Sequence, residues 1–169
     1  MVDQQFGWDE VAEAYTERFG RELDAKPFDR RILDWLLQRA GPIGPISDLG
    51  SGPGQVAACV HSLGAETSGI DLSAEMVQQA ATLNPEISFH TGDMSDLAGI
   101  EANTFGGIAA FYSIVNLTPA DRARAFPEIG HVLRPGGWLL LSFHIGDEIN
   151  HVEKVREQSR KTWDAMATG

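Results

Sequence analysis

Hydrophobic residues in the first forty positions recur at helical spacing. Aromatic and aliphatic side chains from Trp8 to Phe19 lie three or four positions apart, which predicts one amphipathic helix over residues 8–19. Pro27, a residue typical of the first helical turn, opens a second apolar stripe and predicts a helix over residues 27–41. The first predicted elements are therefore helices rather than strands.

From residue 45 onward, short apolar runs alternate with segments of helical spacing. The apolar runs predict strands over residues 45–49, 66–70, 87–90, 105–114 and 138–143. Helices are predicted after Gly54, after Ser73, after Thr118 with a break near Phe126 caused by Pro127, and over residues 147–167, and residues 134–137 are predicted to form a turn. This alternation predicts an α/β fold, with a doubly wound, Rossmann-like and mostly parallel sheet covered by helices on both faces.

The first predicted strand runs directly into a glycine-rich loop. Residues 46–54 read Ile-Ser-Asp-Leu-Gly-Ser-Gly-Pro-Gly, and a helical pattern starts at once after them. Glycine allows positive φ angles and lets a ligand approach the bare main chain, while the start of a helix supplies unpaired N–H groups. The loop therefore predicts a ligand site, although the pattern alone does not distinguish among nucleotide-like ligands.

Composition narrows the class of function. The 169 residues suit one domain, and 24 acidic against 13 basic side chains give a formal charge of −11, which repels nucleic acids. The sequence has no apolar run of the roughly 18 residues that a membrane span requires, and its single cysteine, Cys59, excludes an internal disulfide. We expect a cytoplasmic protein that binds neither nucleic acid nor membrane and holds no metal.

A set of motifs, in order along the chain, resembles a known family: Asp48-Leu-Gly-Ser-Gly-Pro-Gly54, Gly69-Ile-Asp-Leu-Ser73, Gly92-Asp93-Met94, Phe105-Gly-Gly-Ile-Ala-Ala-Phe-Tyr112 and Leu133-Arg-Pro-Gly-Gly137. Residues 6–144 resemble a class I S-adenosylmethionine-dependent methyltransferase of the small-molecule type. The resemblance implies S-adenosylmethionine as the cofactor and a small-molecule methyl acceptor as the partner. It implies a single domain over residues 1–169, made of a helical lid (1–41), a cofactor-binding core (45–145) and a C-terminal helix (146–169).

The resemblance also implies which residues contact the cofactor. Asp71 would accept hydrogen bonds from both ribose hydroxyls, and Asp93 would accept one from the adenine amino group. Asp48 would orient the glycine loop toward the methionine amino group. The other expected contacts are Tyr15, Gly50, Ser51, Gly52, Gly54, Leu72, Met76 and Met94.

Candidate catalytic residues follow the last two predicted strands. Tyr112 and Asn116 border the carboxyl end of the fourth strand, where the acceptor is expected to enter, and His144 follows the fifth strand. His144 is the best-placed general base, a group that is needed only when the acceptor is a protonated oxygen or nitrogen. A structural role for His144, and a core role for Tyr15 in the aromatic stripe, remain open alternatives.

A nicotinamide-dependent oxidoreductase is the alternative within the same fold. Its glycine pattern places the third glycine one residue later, at the position that Gln55 occupies here. Carboxylates at Asp48, Asp71 and Asp93 around one site would repel a pyrophosphate but suit a sulfonium cation. These features favour the methyltransferase.

The sequence departs from the family at its carboxyl end. The family sheet normally finishes with an antiparallel hairpin, and no strand pattern for it follows Phe143. A non-catalytic S-adenosylmethionine-binding or interaction protein is therefore a second hypothesis. The apolar run over residues 138–143 would form an uncovered edge of the sheet, so we also expect a homodimer that covers it.

Overall fold

The structure, a computed structural model, describes residues 4–143 of the chain. The α-helices are α1 (Gln4–Asp9), α2 (Ala12–Phe19), α3 (Pro27–Ala40), α4 (Gln55–Ser62), α5 (Ala74–Leu83) and α6 (Pro119–Val132). The strands are β1 (Ile46–Leu49), β2 (Thr67–Asp71), β3 (Ser88–Thr91), β4 (Phe105–Phe111) and β5 (Leu133–Ser142). Short 3₁₀ helices cover Glu22–Ala25 and Ile114–Asn116. The helix predicted over residues 147–167 lies outside the described part of the chain.

The strands form one five-stranded sheet in the order β3-β2-β1-β4-β5. Every neighbouring pair is parallel, with Ile46 of β1 opposite Thr67 of β2 on one side and Gly107 of β4 on the other. The predicted fold class is confirmed. The strand order reverses between β1 and β4, and in open α/β sheets the crevice at such a point is where ligands bind.

Apolar side chains alternate between the two faces of the sheet. In β4, Ile108 and Ala110 pack in a core that contains Ile129 of α6, whereas Ala109 belongs to a core on the opposite face that contains Leu36 of α3. Both cores are fully buried at these positions, so the central strands are held between two helical layers. The carboxyl ends of β1, β2 and β4 are thereby fixed relative to one another.

Two predicted helix starts agree with the structure because a side chain caps each of them. The Ser73 hydroxyl accepts a hydrogen bond from the Met76 N–H at 3.1 Å, and the Thr118 hydroxyl accepts one from the Asp121 N–H at 3.1 Å. Each cap satisfies a main-chain donor that the first turn leaves unpaired. Such caps are local, which is why the sequence pattern locates them.

The single helix predicted over residues 8–19 is wrong, because the structure divides it into α1 and α2. Val11 has φ −110° and ψ 1°, which is not helical, and the bend separates Asp9 from Ala12. The apolar stripe continues across the bend, so periodicity alone does not reveal it.

The break predicted near Phe126 is also wrong, since α6 runs without interruption from Pro119 to Val132 with Pro127 inside it. Proline costs the helix one main-chain hydrogen bond. Ala125, Ile129 and Val132 are fully buried against the sheet. Burial of this face holds the helix together despite the proline.

The strands on either side of α6 differ in length from the prediction. The fourth strand ends at Phe111 rather than at residue 114, because Tyr112 adopts a positive φ of 51°. The fifth strand begins at Leu133 and includes the predicted turn at 134–137, with a register shift opposite Phe105 and Gly107. None of the helices within residues 4–143 is long and apolar enough to span a membrane.

Candidate functional site

A cleft of about 380 Å³ opens at the carboxyl ends of β1, β2 and β4. This volume lies in the range of small-molecule sites, roughly 300–1,000 Å³. Its floor is the glycine loop after β1, and its far wall is formed by the N-terminal helices. The cleft therefore occupies the crevice that the strand order predicts.

The glycine loop presents bare main chain to the cleft. Gly50 and Gly52 have φ angles of 72° and 50°, in the region that favours glycine. A Cβ on Gly52 would meet nothing closer than a ring carbon of Tyr15 at 3.8 Å, so the space above it is open to a ligand. A Cβ on Gly50 would instead lie 2.3 Å from the Cβ of Ser113. The absence of a side chain at Gly52 therefore leaves space for a ligand, and its absence at Gly50 leaves space for Ser113.

Asp71, at the end of β2, is tied to the same loop. One carboxylate oxygen accepts the Gly52 N–H at 2.8 Å, and the other accepts the Ser73 N–H at 2.9 Å. Burial raises the pKa of Asp71, while these N–H groups act in the opposite direction and the charge of Asp9 adds to the rise. A carboxylate offers about four acceptor positions, so it can bind further hydroxyl donors in the cleft.

Asp48 lies beneath the loop and is almost completely buried, with 2% of its surface exposed. Its carboxylate accepts the Ala57 N–H in the first turn of α4 at 3.1 Å. Burial raises the pKa of Asp48 to about 7, against the effect of that N–H group and with a further rise from Asp71. A cation bound in the cleft would favour the ionised form of this carboxyl.

Aromatic rings of the N-terminal helices form the far wall. The Tyr15 ring lies edge-on to Trp8 at 5.9 Å and tilted against Phe19 at 4.6 Å between centroids, and all three line the cleft. Burial, assisted by the charges of Glu22 and Asp71, raises the pKa of Tyr15 to about 12. The Tyr15 hydroxyl is therefore neutral at physiological pH and can donate a hydrogen bond.

Polar side chains from three elements meet at one end of the cleft. Glu22 accepts hydrogen bonds from Lys26 Nζ at 2.6 Å and from Gln55 Nε2 at 3.3 Å. Its hydrogen bond to Lys26 raises the pKa of that ammonium group. Gln55 Oε1 and Ser51 Oγ are buried here without a hydrogen-bond partner among the described residues. Buried polar atoms of this kind are rare in native proteins and suit a polar ligand group.

The opposite end of the cleft is more apolar. Leu72, Met76 and Met94 line it, and Met76 and Met94 are buried in the protein core beneath. Asp93 also lines this end and accepts the Ser95 N–H at 2.7 Å. This part of the cleft can hold a flat apolar group with a polar edge.

Tyr112 stands where β4 ends, at the mouth of the cleft. Its positive φ is uncommon for a residue with a side chain, and such conformations tend to occur at functional sites. The Lys26 ammonium lies 5.6 Å from the centre of its ring. Asn116 donates a hydrogen bond to the Tyr112 carbonyl oxygen at 3.4 Å and also lines the cleft.

The structure brings together nearly all the residues that the sequence assigns to cofactor binding. Tyr15, Asp48, Gly50, Ser51, Gly52, Asp71, Leu72, Met76, Asp93 and Met94 all line the cleft, as does Tyr112. Gly54 does not line it, and a Cβ there would instead meet the Phe89 ring at 2.7 Å. His144 lies outside the described residues. The roles of these residues remain predictions.

Sequence reasoning missed Glu22, Lys26, Gln55 and Ser113 as lining residues. Of these four residues, only Gln55 could have been predicted from the sequence, because a polar side chain directly after a glycine loop faces the ligand. The other three reach the cleft only through the tertiary fold. Among the described residues, no group of three or more His, Cys, Asp or Glu side chains lies close enough together to hold a metal ion.

A family model described as a methyltransferase domain matches residues 46–137, more than half of the chain. The chain belongs to this family. The resemblance to class I S-adenosylmethionine-dependent methyltransferases is thereby confirmed, and S-adenosylmethionine is the cofactor of the family. Family membership favours this cofactor over the nicotinamide considered from the sequence.

Individual proteins are also similar to this chain in sequence and in structure. The putative methyltransferase YqeM of Bacillus subtilis (strain 168) is 27% identical over 146 residues, which are 84% of this chain and 59% of YqeM. The glycopeptide N-methyltransferase MtfA complexed with sinefungin is 26% identical at a TM-score of 0.60, over 70% of this chain and 55% of MtfA. MtfA has also been solved with S-adenosylhomocysteine.

A third similar structure is the (4+2)-cyclase SpnF, which is 29% identical at a TM-score of 0.57 over 66% of this chain and 43% of SpnF. The fold therefore also occurs in a protein named for a different reaction. The chain spans between 37% and 59% of the length of the curated relatives it matches. The family match covers residues 46–137, which contain the whole glycine loop and Asp71.

Proposed function

We propose that the protein binds S-adenosylmethionine in this cleft and directs its methyl group to a small-molecule acceptor. The observation that carries the proposal is the junction of Asp71 with the glycine loop, where the carboxylate bonds to the Gly52 N–H and still has acceptor positions free for a ribose. The open space above Gly52 supports it. The bound cofactor would supply a methyl group on a positively charged sulfur.

The polar end of the cleft suits the amino-acid part of this cofactor. Gln55 Oε1 and Ser51 Oγ, which have no partner among residues 4–143, could accept hydrogen bonds from an ammonium group. Lys26 Nζ could donate to a carboxylate, together with the hydroxyl of Tyr15. The adenine would then lie among Leu72, Met76 and Met94 at the apolar end.

The acceptor would enter beside Tyr112 and Asn116. The rate of methyl transfer depends mainly on aligning the acceptor atom with the methyl group, so residues that orient the acceptor matter more than acid–base groups. Tyr112 adopts a positive φ where β4 ends, and it lines the cleft. Tyr112 and the predicted base His144 are the proposed catalytic residues, Tyr112 for orientation and His144 for proton removal.

The first test is the affinity of Asp71→Ala for S-adenosylhomocysteine, measured by calorimetry. Loss of a charged acceptor for ribose hydroxyls should cost about 1.5–3 kcal/mol, which is at least tenfold in affinity. The matched control is Asp96→Asn, because Asp96 is an exposed carboxyl on the nearby loop that does not line this cleft. The control variant should bind like the wild type.

A ligand lacking the ribose hydroxyls makes the test specific. Wild type should bind a dideoxyribose analogue of S-adenosylhomocysteine at least tenfold more weakly than the parent, whereas Asp71→Ala should bind the two about equally. Equal discrimination by both proteins would refute the ribose site. Binding of a reduced nicotinamide dinucleotide in preference to S-adenosylhomocysteine would refute the cofactor.

A non-catalytic S-adenosylmethionine-binding protein is the second candidate, and the likeness to SpnF favours it. SpnF has a similar structure but is named a cyclase rather than a methyltransferase. A methyl-transfer assay with a panel of small oxygen, nitrogen and carbon acceptors, run on protein of verified cofactor affinity, separates the two. Transfer to any acceptor supports the enzyme, and binding without transfer across the panel supports the second candidate.

We also propose a homodimer through the edge of the sheet at β5. Trp138 is partly covered by Trp35 of α3, with ring centroids 5.0 Å apart, yet both residues remain more than one third exposed. β5 is the last strand of the described sheet, and an apolar edge of this kind favours pairing between copies. Light scattering at micromolar concentration tests this, and a mass of about one 18.4 kDa chain would contradict the dimer.

A further inference from the structure

Asp9, at the end of α1, bonds to the start of α5 across the mouth of the cleft. Its Oδ1 atom accepts a hydrogen bond from the Ser73 hydroxyl at 2.5 Å and another from the Glu75 N–H at 3.2 Å. These contacts join residues more than sixty positions apart in the sequence. The negative charge of Asp9 also lies at the positive end of the α5 helix dipole.

Ser73 is also hydrogen-bonded to Asp71, which in turn bonds to the glycine loop. The Ser73 side chain is fully buried, and its main-chain N–H donates to Asp71 at 2.9 Å. Asp71 in turn accepts the Gly52 N–H. A continuous series of hydrogen bonds therefore connects Asp9 through Ser73 and Asp71 to Gly52, the residue above which the ligand space lies.

The residue before Asp9 belongs to the aromatic wall. Trp8 lines the cleft and contacts the Tyr15 ring edge-on, so the position of α1 determines where this wall stands. Asp9 itself does not line the cleft. Its hydrogen bond with Ser73 joins α1, which carries Trp8, to the segment that follows Asp71.

We propose that Asp9 is a positioning residue for the cofactor: its hydrogen bonds to Ser73 and Glu75 keep the N-terminal aromatic wall closed over the cleft. The proposal rests on the proposed binding of S-adenosylmethionine. A closed wall must open for the cofactor to leave, so Asp9 acts on the rate of cofactor release. A residue that only capped α5 would affect folding stability and leave this rate unchanged.

The test compares Asp9→Ala with Asp9→Asn. Alanine removes both hydrogen bonds, whereas the amide oxygen of asparagine can still accept them. The matched control is Glu13→Ala, which removes an exposed carboxyl from the first turn of α2. Stopped-flow binding gives association and dissociation rates for S-adenosylhomocysteine, and hydrogen exchange reports the opening of residues 4–19 in the free protein.

We expect Asp9→Ala to release the ligand about tenfold faster, the size of one hydrogen bond to a charged group, with an association rate within about twofold of wild type. Exchange should rise in residues 4–19 and stay unchanged in β1 and β4. Asp9→Asn should recover most of the slow release, and Glu13→Ala should behave as wild type.

Three outcomes would overturn the proposal: wild-type release from Asp9→Ala, release from Asp9→Asn as fast as from Asp9→Ala, or faster exchange throughout the sheet. Failure of the proposed function looks different, because wild type itself would then not bind S-adenosylhomocysteine. In that event Asp9 has no positioning role toward this cofactor, and the exchange of residues 4–19 shows separately whether the contact between α1 and α5 closes the wall.

Discussion

The glycine loop, residues 50–54, and the N-terminal segment, residues 8–26, face each other across the cleft but are held by different contacts. The loop is fixed by main-chain groups, since the Gly50 N–H donates to the Ile70 carbonyl at 2.7 Å and the Gly52 N–H to Asp71. The N-terminal segment is held by side chains, chiefly aromatic contacts and the carboxylates of Asp9 and Glu22.

This difference separates two properties of the site. Main-chain contacts within a buried parallel sheet persist with the fold, so the loop is formed before a ligand arrives. Side-chain contacts on the outer helices are individually weak and can open without unfolding the sheet. Changes to the loop should therefore alter folding stability, and changes to the N-terminal segment should alter ligand binding alone.

The largest expected effect comes from Gly50→Ala. The new Cβ would lie 2.3 Å from the Ser113 Cβ at a φ of 72°, so both the contact and the backbone are strained. We expect a loss of about 3 kcal/mol in the free energy of unfolding, measured with urea, from left-handed strain and overpacking combined. Gly64→Ala is the matched control, because Gly64 has a φ of 99° with no atom within 4 Å. A similar loss in both variants would mean that strain alone accounts for the effect.

A smaller effect, dependent on pH, is expected at Asp48. Burial raises its pKa from 3.8 to about 7, so the stability contributed by the neutral form is present at low pH and is lost as the pH rises through about 7. Asp48→Asn should abolish this loss. Relative to wild type, the free energy of unfolding of the variant should therefore increase by at least about 1 kcal/mol between pH 5 and pH 8.

Ligand charge gives an independent check on Asp48. Ionisation of this carboxyl should favour a cationic ligand, so the affinity of wild type for S-adenosylmethionine, relative to uncharged-sulfur S-adenosylhomocysteine, should increase over the same pH range. In Asp48→Asn the ratio should be nearly constant. A pH-independent stability difference together with a pH-independent affinity ratio would show that Asp48 does not titrate in this range.

The smallest effect is expected from Tyr15→Phe in the N-terminal segment. The ring contacts with Trp8 and Phe19 remain, and only the hydroxyl is lost. We expect an affinity for S-adenosylhomocysteine that is lower by about three- to tenfold, the range of one neutral hydrogen bond, with an unchanged midpoint of thermal unfolding. A lower midpoint with unchanged affinity would contradict the expected difference between the glycine loop and the N-terminal segment.

Sequence reasoning correctly predicted structural features that depend on local chain geometry. The strand, the glycines and Asp71 could be predicted because the main-chain conformation after a parallel strand constrains which residues can stand there. Ser73 could be predicted as a helix cap for the same reason, and its hydroxyl indeed accepts the Met76 N–H. These features depend on neighbours only a few positions away.

The missed features depend on contacts between distant segments. Lys26 and Glu22 lie on a 3₁₀ helix and its end, and nothing in their local pattern places them beside Gln55, thirty-three positions from Glu22. Pro127 misled the prediction because its local cost was visible in the sequence, whereas the burial of Ile129 that offsets it was not. A sequence pattern shows the local free-energy cost of a residue more readily than the stabilisation that tertiary packing provides.

Ser113 has a consequence for how new substrates could be accommodated. Its hydroxyl donates to the Leu49 carbonyl at 2.6 Å, and its Cβ occupies the space that Gly50 leaves, so it joins the ends of β4 and β1 into one rigid unit. Asn116 and Leu117 follow this joint and line the cleft. Ser113 therefore separates the part of the site built by β1 and the glycine loop from the rim of the cleft, and we expect differences in substrate preference to arise from changes in the rim.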